Sequence, residues 1–130
     1  MLAIPTQELY DKIFEVSQSF GFDTYDYLPA KEVDYPFIQL ANTQQTTLNL
    51  KTAKGGLISQ TIHVWGTLKM RYRVTQMMEQ LNQLADGTLI TDNFRFVGRN
   101  NQSDFQIMND TSVPDTVLVH GVLTLFFNLG

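Results

Sequence analysis

The side chains best suited to acid–base chemistry or metal binding are the two histidines. His63 falls in a segment that alternates between polar and apolar residues, and His120 falls in a longer, mostly apolar segment; both segments are predicted strands. Neither has another His, an Asp or a Glu at the spacing that a metal site requires. We therefore interpret both as histidines that are satisfied by hydrogen bonds or exposed at the surface.

Other motifs for catalysis or ligand binding are weak. The chain has no cysteine, so a nucleophilic enzyme would need Ser, Thr or Lys beside a base, and none of its five serines stands in a strained turn motif. Residues 54–56 (Lys-Gly-Gly) lack the spacing of a phosphate-binding loop and suit a flexible hairpin turn. Residues 23–26 (Asp-Thr-Tyr-Asp) lack the EF-hand pattern. We expect no catalytic residue, no cofactor and no metal.

The charges are segregated along the chain. The net charge of −4 argues against nucleic-acid binding through the overall field. Residues 1–36 carry seven acids and two bases, whereas residues 37–78 carry no acid and five bases. Opposite charges on different segments could orient a heterologous contact between copies of the chain. The alternative is that these charges lie on ordinary solvent-exposed faces and are segregated by chance.

Two helices are predicted from apolar spacing. Thr6 can cap a first helix that ends at Phe20, with Gly21 in the left-handed conformation beyond it. One face of that helix would carry Leu9, Ile13, Val16 and Phe20. The second helix is predicted over about 69–85, although residues 67–74 also fit a strand. Its apolar stripe consists of Met70, Val74, Met77, Leu81 and Leu84.

Six segments read as strands, at residues 24–28, 36–41, 57–65, 94–97, 104–108 and 116–129. The last is apolar on both faces, which suits a central strand or one buried against a neighbouring subunit. Residues 42–56 are polar and end in two glycines, so we predict a long mobile excursion there, with weak strand character at 46–50. The prediction is a single α+β domain with a mixed, mainly antiparallel sheet, in the order α-β-β-β-α-β-β-β.

Three stretches resemble a known family. They are residues 35–38 (Tyr-Pro-Phe-Ile), 60–66 (Gln-Thr-Ile-His-Val-Trp-Gly) and, in the second helix, 74–78 (Val-Thr-Gln-Met-Met). With the length and the element order, they resemble the tail terminators, or tail completion proteins, of long-tailed siphovirus-type phages of Gram-positive bacteria. The resemblance extends from about residue 5 to the C-terminus, and residues 60–66 are its most specific part.

The resemblance implies a structural protein of the virion. Its subunits would form a hexameric ring at the head-proximal end of the tail, assembled in the bacterial cytoplasm. The ring would cap the tail tube, stop polymerisation and present the head-joining surface. The partners implied are the major tail-tube protein and a head-completion or neck protein, and DNA would pass through the lumen without specific binding. Another neck or tail-tube component, such as a head–tail connector, is the alternative. Less favoured is a small-molecule-binding α+β domain with a concavity beside Trp65 and His63.

Candidate interface residues follow from charge and not from a family motif. Trp65 is either a half-buried strand residue with a satisfied indole N–H or an interface anchor. The charged candidates for subunit or tube contact are Lys51, Lys54, Lys69, Arg71, Arg73, Glu8, Asp11 and Glu15.

Overall fold

A computed structural model describes residues 2–29, 33–49 and 54–130. Its two α-helices are α1 (Pro5–Ser19) and α2 (Arg71–Asn82). Its strands are β1 (Thr24–Tyr25), β2 (Phe37–Asn49), β3 (Lys54–Thr67), β4 (Thr88–Ile90), β5 (Arg95–Gly98), β6 (Asp104–Asp110) and β7 (Leu118–Leu129). Short 3-10 turns cover Leu68–Met70, Gln83–Asp86 and Asn100–Gln102. The predicted α+β class is confirmed, with β4 as one strand more than the sequence indicated.

The strands form one mixed sheet in the order β1-β2-β3-β7-β5-β4, and β6 also pairs with β7. The β1–β2 pair is parallel, and the others are antiparallel. Both helices pack on one side of the sheet, which we call the core face; α1 contacts β1–β3, and α2 contacts β3 and β7. No helix within the described ranges combines the length and hydrophobicity needed to cross a bilayer.

Alternation along β3 and β7 separates the core face from the opposite side, which we call the outer face. Ile62 of β3 pairs with Leu123 of β7, and both side chains are fully buried. Thr61 and Thr124 pair on the outer face, where they are half-buried and their hydroxyls lie 3.2 Å apart. The predicted alternation of both strands is thereby confirmed, because a strand's successive side chains point to opposite faces.

The start of α1 differs from the prediction. The helix begins at Pro5, and Ile4 is the N-cap residue with no side-chain hydrogen bond, so Thr6 is not a cap. Proline suits the first helical position because its φ is already helical and the missing N–H has no partner there. The predicted end is confirmed within one residue. Gly21 adopts φ 85°, and its N–H donates to the carbonyl of Gln18 at 2.9 Å.

One position of the predicted α1 stripe is also corrected. Leu9 and Ile13 are buried as expected, and Phe20 is half-buried against the core, but Ser17 is buried in place of Val16. A hydrogen bond of 2.7 Å between the Ser17 and Thr24 hydroxyls satisfies its polar atom. In α2, the buried residues are Val74, Met77, Met78 and Leu81, which confirms most of the predicted stripe.

Most of the predicted excursion at 42–56 is strand, which confirms the weak strand character expected at 46–50 as far as Asn49. After a register shift between Leu40 and Thr43, β2 continues to Asn49, and it pairs with β3 as far as Lys54. The polar composition suggests a loop, but this part of β2 can form a strand without an apolar face. It pairs with β3, which is itself fixed in the sheet by its pairing with β7. Residues 50–53 lie outside the described ranges, and the predicted mobility of the segment stays a prediction.

Close packing behind Gly98 generates a stability prediction. A Cβ added at Gly98 would collide with the backbone carbonyl of Ala85, whereas a Cβ at Gly87 would meet nothing within 4 Å. We expect Gly98→Ala to lower the free energy of unfolding by about 1–3 kcal/mol, because backbone atoms cannot give way as a flexible side chain does. The matched variant Gly87→Ala should stay within about 0.5 kcal/mol of the parent. Urea unfolding followed by circular dichroism measures both, and equal midpoints for the two variants would contradict this packing.

Candidate functional site

The pairing of β3 with β7 brings the two histidines together on the outer face. Trp65 lies directly opposite His120 in the ladder, two positions from His63. Nδ1 of His63 and Nε2 of His120 are 2.7 Å apart, which is a hydrogen-bond distance. The Trp65 ring stacks on the His120 ring at 3.7 Å between centroids with 9° between the planes. The three rings therefore form one packed unit.

Asp110, at the end of β6, extends this unit. Its Oδ2 lies 3.4 Å from Nδ1 of His120, and the two side chains are 19% and 12% exposed. The Ser112 N–H donates to Oδ1 of Asp110 at 2.8 Å and orients the carboxylate. If the Nδ1–H of His120 faces Asp110, its Nε2 is free to accept the Nδ1–H of His63. One set of tautomers thus satisfies the whole Asp110–His120–His63 chain.

Burial controls the protonation of both histidines. Desolvation lowers the pKa of His63, and the charge that His120 would carry lowers it further. Desolvation also lowers the pKa of His120, with Asp110 acting in the opposite direction. Hydrogen bonds from Ser112 are the main cause of the lowered pKa of Asp110. The neutral form of each imidazole is therefore favoured in the folded chain.

The chemical capacity of this unit is limited. A carboxylate behind a histidine can orient a general base, but a nucleophilic mechanism needs a hydroxyl or thiol within hydrogen-bond reach of that base. Among the described residues, no Ser or Thr hydroxyl bonds to either ring, and no group of three His, Asp or Glu side chains could hold a metal ion. The histidines are satisfied by each other and by Asp110, as one of the two sequence interpretations has it.

Trp65 also forms part of a small apolar groove, which we call the Trp65 groove. Its volume is about 130 Å³, below the ~300–1,000 Å³ typical of small-molecule sites. The indole N–H points to Oε1 of Gln39 at 3.4 Å. Trp65 is therefore half-buried and held in place, yet one side of it lines an open groove. The lining residues are Leu28, Pro29, Val33, Tyr35, Phe37, Trp65, Ser112, Val113 and Leu118.

Only some of the basic candidate interface residues lie close together in the structure. Lys69 and Arg71 are exposed at the start of α2, and the Arg73 guanidinium lies 5.5 Å from the Phe22 ring centroid. Lys54 stands at the far end of the hairpin, where its backbone pairs with Asn49. Lys51 lies outside the described residues. Among the Lys and Arg residues whose side chains the structure describes, none forms a salt bridge with a carboxylate.

The acidic candidates on α1 have different environments. Asp11 and Glu15 are exposed, and Asp11 accepts a hydrogen bond from Gln7 at 2.8 Å. Glu8 instead accepts hydrogen bonds from the Thr91 hydroxyl at 2.7 Å and from both nitrogens of Asn93. These bonds lower the pKa of Glu8 and tie α1 to the β4–β5 turn. Its carboxylate is thus already engaged within the chain.

Comparison with known proteins relates the chain to a virion by fold. Over 95% of its length it superposes on 96% of a chain from a solved structure entitled "Virion of native gene transfer agent (GTA) particle". The TM-score is 0.67 and the sequence identity is 14%, so the similarity is one of fold. No protein-family model matches the sequence, and a search of curated proteins finds no match.

The buried histidine pair predicts a pH dependence of stability. Because both histidines have a lower pKa in the folded chain than the ordinary value of 6.5, the unfolded chain binds more protons at mildly acidic pH. The contribution of the two neutral histidines to the free energy of unfolding is complete above about pH 6.5, and it is lost as the pH falls below that value. Urea midpoints measured between pH 7.5 and pH 5 should therefore decline. The lowered pKa values of Glu8 and Asp110 act below pH 4.5, outside this window.

The double variant His63→Gln, His120→Gln is the matched test of that assignment. It should be less stable than the parent at pH 7.5 and should show a nearly flat urea midpoint between pH 7.5 and pH 5. A decline as steep as that of the parent would mean that other groups cause the pH dependence.

Proposed function

We propose that this chain is a structural virion protein that forms a ring, caps a phage tail tube, ends tail polymerisation and provides the surface for head joining. Its partners in this proposal are further copies of itself, a major tail-tube protein and a head-completion or neck protein. DNA passes through the lumen without specific contacts. The predicted hexamer and the head-proximal location belong to this proposal.

The observation that carries the proposal is the extent of the fold similarity. The superposition covers nearly the whole of both chains, so the similarity of fold extends over an entire chain of that virion structure. Residues 35–38, 60–66 and 74–78 resemble tail terminators in sequence. The fold similarity supports a virion protein, and the sequence resemblance supports the more specific function of a tail terminator.

The open edge of β2 supports assembly with other chains. Strand β1 covers β2 only at Ile38 and Gln39, so from Leu40 to Asn49 β2 has no described strand on its outer side. Natural proteins usually protect such edges with charges or proline, because unpaired N–H and C=O groups invite pairing with another chain. Residues 40–49 contain neither. On the opposite border, β7 is the one described strand that pairs with β6.

A neighbouring tail-tube or neck subunit is the second candidate. Open sheet edges suit a tube subunit as well as a terminator, because both assemble from copies of one chain. The two functions differ in the product: a terminator forms discrete rings and caps tubes, whereas a tube subunit polymerises. A small-molecule function is less favoured, since the groove beside Trp65 is smaller than typical ligand sites.

Electron microscopy of the purified protein, alone and mixed with tail tubes, tests the proposed function. We expect discrete rings of one subunit number and tubes bearing a single ring at one end. Deletion of the gene from the phage genome should give overlong tails without heads. Filaments formed by the pure protein would favour the tube subunit, and tails of normal length in the deletion would contradict a terminator.

The open β2 edge gives a mutational prediction. Gln44 and Thr46 are exposed on this strand, so Gln44→Lys with Thr46→Lys should leave the fold intact and oppose pairing by another strand. A loss of about 1.4 kcal/mol at each contact would raise the concentration needed for ring formation about tenfold. Gln80→Lys with Gln76→Lys adds the same charge on the exposed side of α2 and serves as the control. Sedimentation velocity over a concentration series measures the shift; an equal shift in both variants would contradict a role for the edge.

A further inference from the structure

A second strand edge lies on the opposite border of the sheet from the open β2 edge. Strand β6 pairs with β7 on one side, and within the described ranges no backbone group pairs with its other side. We call that side the β6 edge. It contains no proline, and its charges stand only at its two ends, Asp104 and Asp110. The chain therefore carries two different edges that can each accept another strand.

The border at β6 also leaves apolar surface unfinished. Phe105 and Ile107 pack against the hydrophobic core but are only half-buried, whereas their partners in β7, Leu123 and Gly121, are buried. A further strand beside β6 would cover the exposed parts of both side chains. Burial of that apolar area would add to the backbone hydrogen bonds of such a contact.

The strand directions allow the two edges to meet between copies. Each neighbouring pair in the run β2-β3-β7-β6 is antiparallel, so β2 and β6 point in opposite directions. Copies related by rotation about an axis roughly along the strands keep their strand directions. The β2 strand of one copy is then antiparallel to the β6 strand of its neighbour. The antiparallel pattern of the sheet would continue through the contact without interruption.

The offset between the two edges fits a closed ring of sheets. Ile107, the centre of β6, is level with Ile38 of β2. The pairs that connect them are Ile107–Gly121, Gly121–Val64 and Val64–Ile38. The open β2 edge, residues 40–49, is centred between six and seven residues beyond Ile38, and the register shift between Leu40 and Thr43 takes up one of them.

This offset can be expressed as a strand tilt. Between five and six residues at ~3.3 Å each give a stagger of about 18 Å. The stagger develops over four strand spacings per copy, or about 19 Å, which corresponds to a tilt of about 43°. Closing a sheet into a barrel requires a tilt of ~35–45°. The two edges are therefore offset by the amount that a closed ring of these sheets needs.

We propose that the β6 edge of one copy forms an antiparallel pair with the open β2 edge of the next copy. The proposal rests on the proposed function, since it identifies the contact between neighbours in the ring. Because the two edges differ, the contact is heterologous, which is the kind that closes rings. Pairing of two β6 strands about Ile107 would place Asp104 opposite Asp110 at both ends, and like charges directly opposite each other are destabilising. Residues 40–49 carry no charge, so β2 meets β6 without this conflict.

Disulfide cross-linking tests the contact directly, because the chain has no cysteine of its own. Gln44 and Thr46 of β2 and Gln106 of β6 are exposed, and the sheet register places all three on the outer face. Within one chain, β2 and β6 are three strand spacings apart, at least ~14 Å, which is too far for a disulfide. Any disulfide between these positions therefore joins two copies.

The cysteine variants are mixed in pairs under mild oxidation. Gln44→Cys mixed with Gln106→Cys tests one register, and Thr46→Cys mixed with Gln106→Cys tests the register two residues further along. We expect one of the two mixtures to give at least tenfold more of the mixed disulfide than of either like pair. The double variant that combines the two successful cysteines should yield a covalent ladder that ends at the subunit number of the ring. Non-reducing gel electrophoresis and mass spectrometry report the products.

Matched controls separate strand pairing from chance collision. Gln45 is exposed next to Gln44 but points to the core face, so Gln45→Cys should give at least tenfold less mixed disulfide with Gln106→Cys. Gln80→Cys on the exposed side of α2 reports random cross-linking. Circular dichroism checks the fold of each variant, and sedimentation velocity checks that it still assembles.

The outcomes separate this contact from the proposed function. If rings form but both mixtures give no more mixed disulfide than the Gln80→Cys control, the β2–β6 contact is wrong while the ring function stands. An excess of disulfides between two Gln44→Cys copies would show pairing of β2 with itself and would also overturn the contact. Mixed disulfides within filaments would support the contact and contradict a terminator. If the parent forms neither rings nor filaments, even on tube ends, the contact and the proposed function both fail.

Discussion

The antiparallel pairing of β3 with β7, from Gly56–Leu129 to Thr67–Leu118, is the constraint on which the rest of the structure depends. On the core face it places Ile62 against Leu123 and so creates the surface on which both helices pack. On the outer face it stacks Trp65 on His120 and fixes one wall of the groove. The pair also connects most of the remaining strands to the sheet, because β2 is hydrogen-bonded to β3, and β5 and β6 are hydrogen-bonded to β7. A central pair bonded on both sides can hold neighbours that bury little apolar surface themselves.

That dependence explains how a polar strand such as β2 can exist at the border of the sheet. Residues 42–49 gain their order from backbone hydrogen bonds to β3, and the side chains of residues 42–46 are half-buried or exposed. The outward backbone groups of the same strand face solvent, which costs little in water but offers a ready pairing surface.

Some charged side chains, like these backbone groups, have no ionic partner inside the chain. The Lys and Arg residues whose side chains the structure describes form no salt bridges within the chain, so the positive charges at the start of α2 remain available to other molecules.

The sequence predicts the parts of this fold that depend on local periodicity. The spacing of Leu9 and Ile13 and the alternation of Ile58, Ile62 and Val64 suffice for α1 and β3, because burial of one face decides those elements. Residues 42–49 are predicted only in part, as weak strand character at 46–50, because their strand is decided by a neighbour and not by their own side chains. The Asp110–His120–His63 unit escapes for the same reason: its members are far apart in sequence, and only the β3–β7 and β6–β7 registers bring them together. The one available signal was that His63 and His120 both fall on the less apolar face of a predicted strand.

The central claim is that identical neighbours complete a sheet and a surface that one chain leaves open. Hydrogen–deuterium exchange of the β2 amides, compared between dilute protein and assembled rings, tests it most directly. In dilute protein, the amides of residues 40–49 that point away from β3 should exchange rapidly, and they should become strongly protected in the ring, while the amides at the centre of the β3–β7 ladder stay protected in both. Rings in which residues 40–49 exchange as fast as in dilute protein would contradict the account.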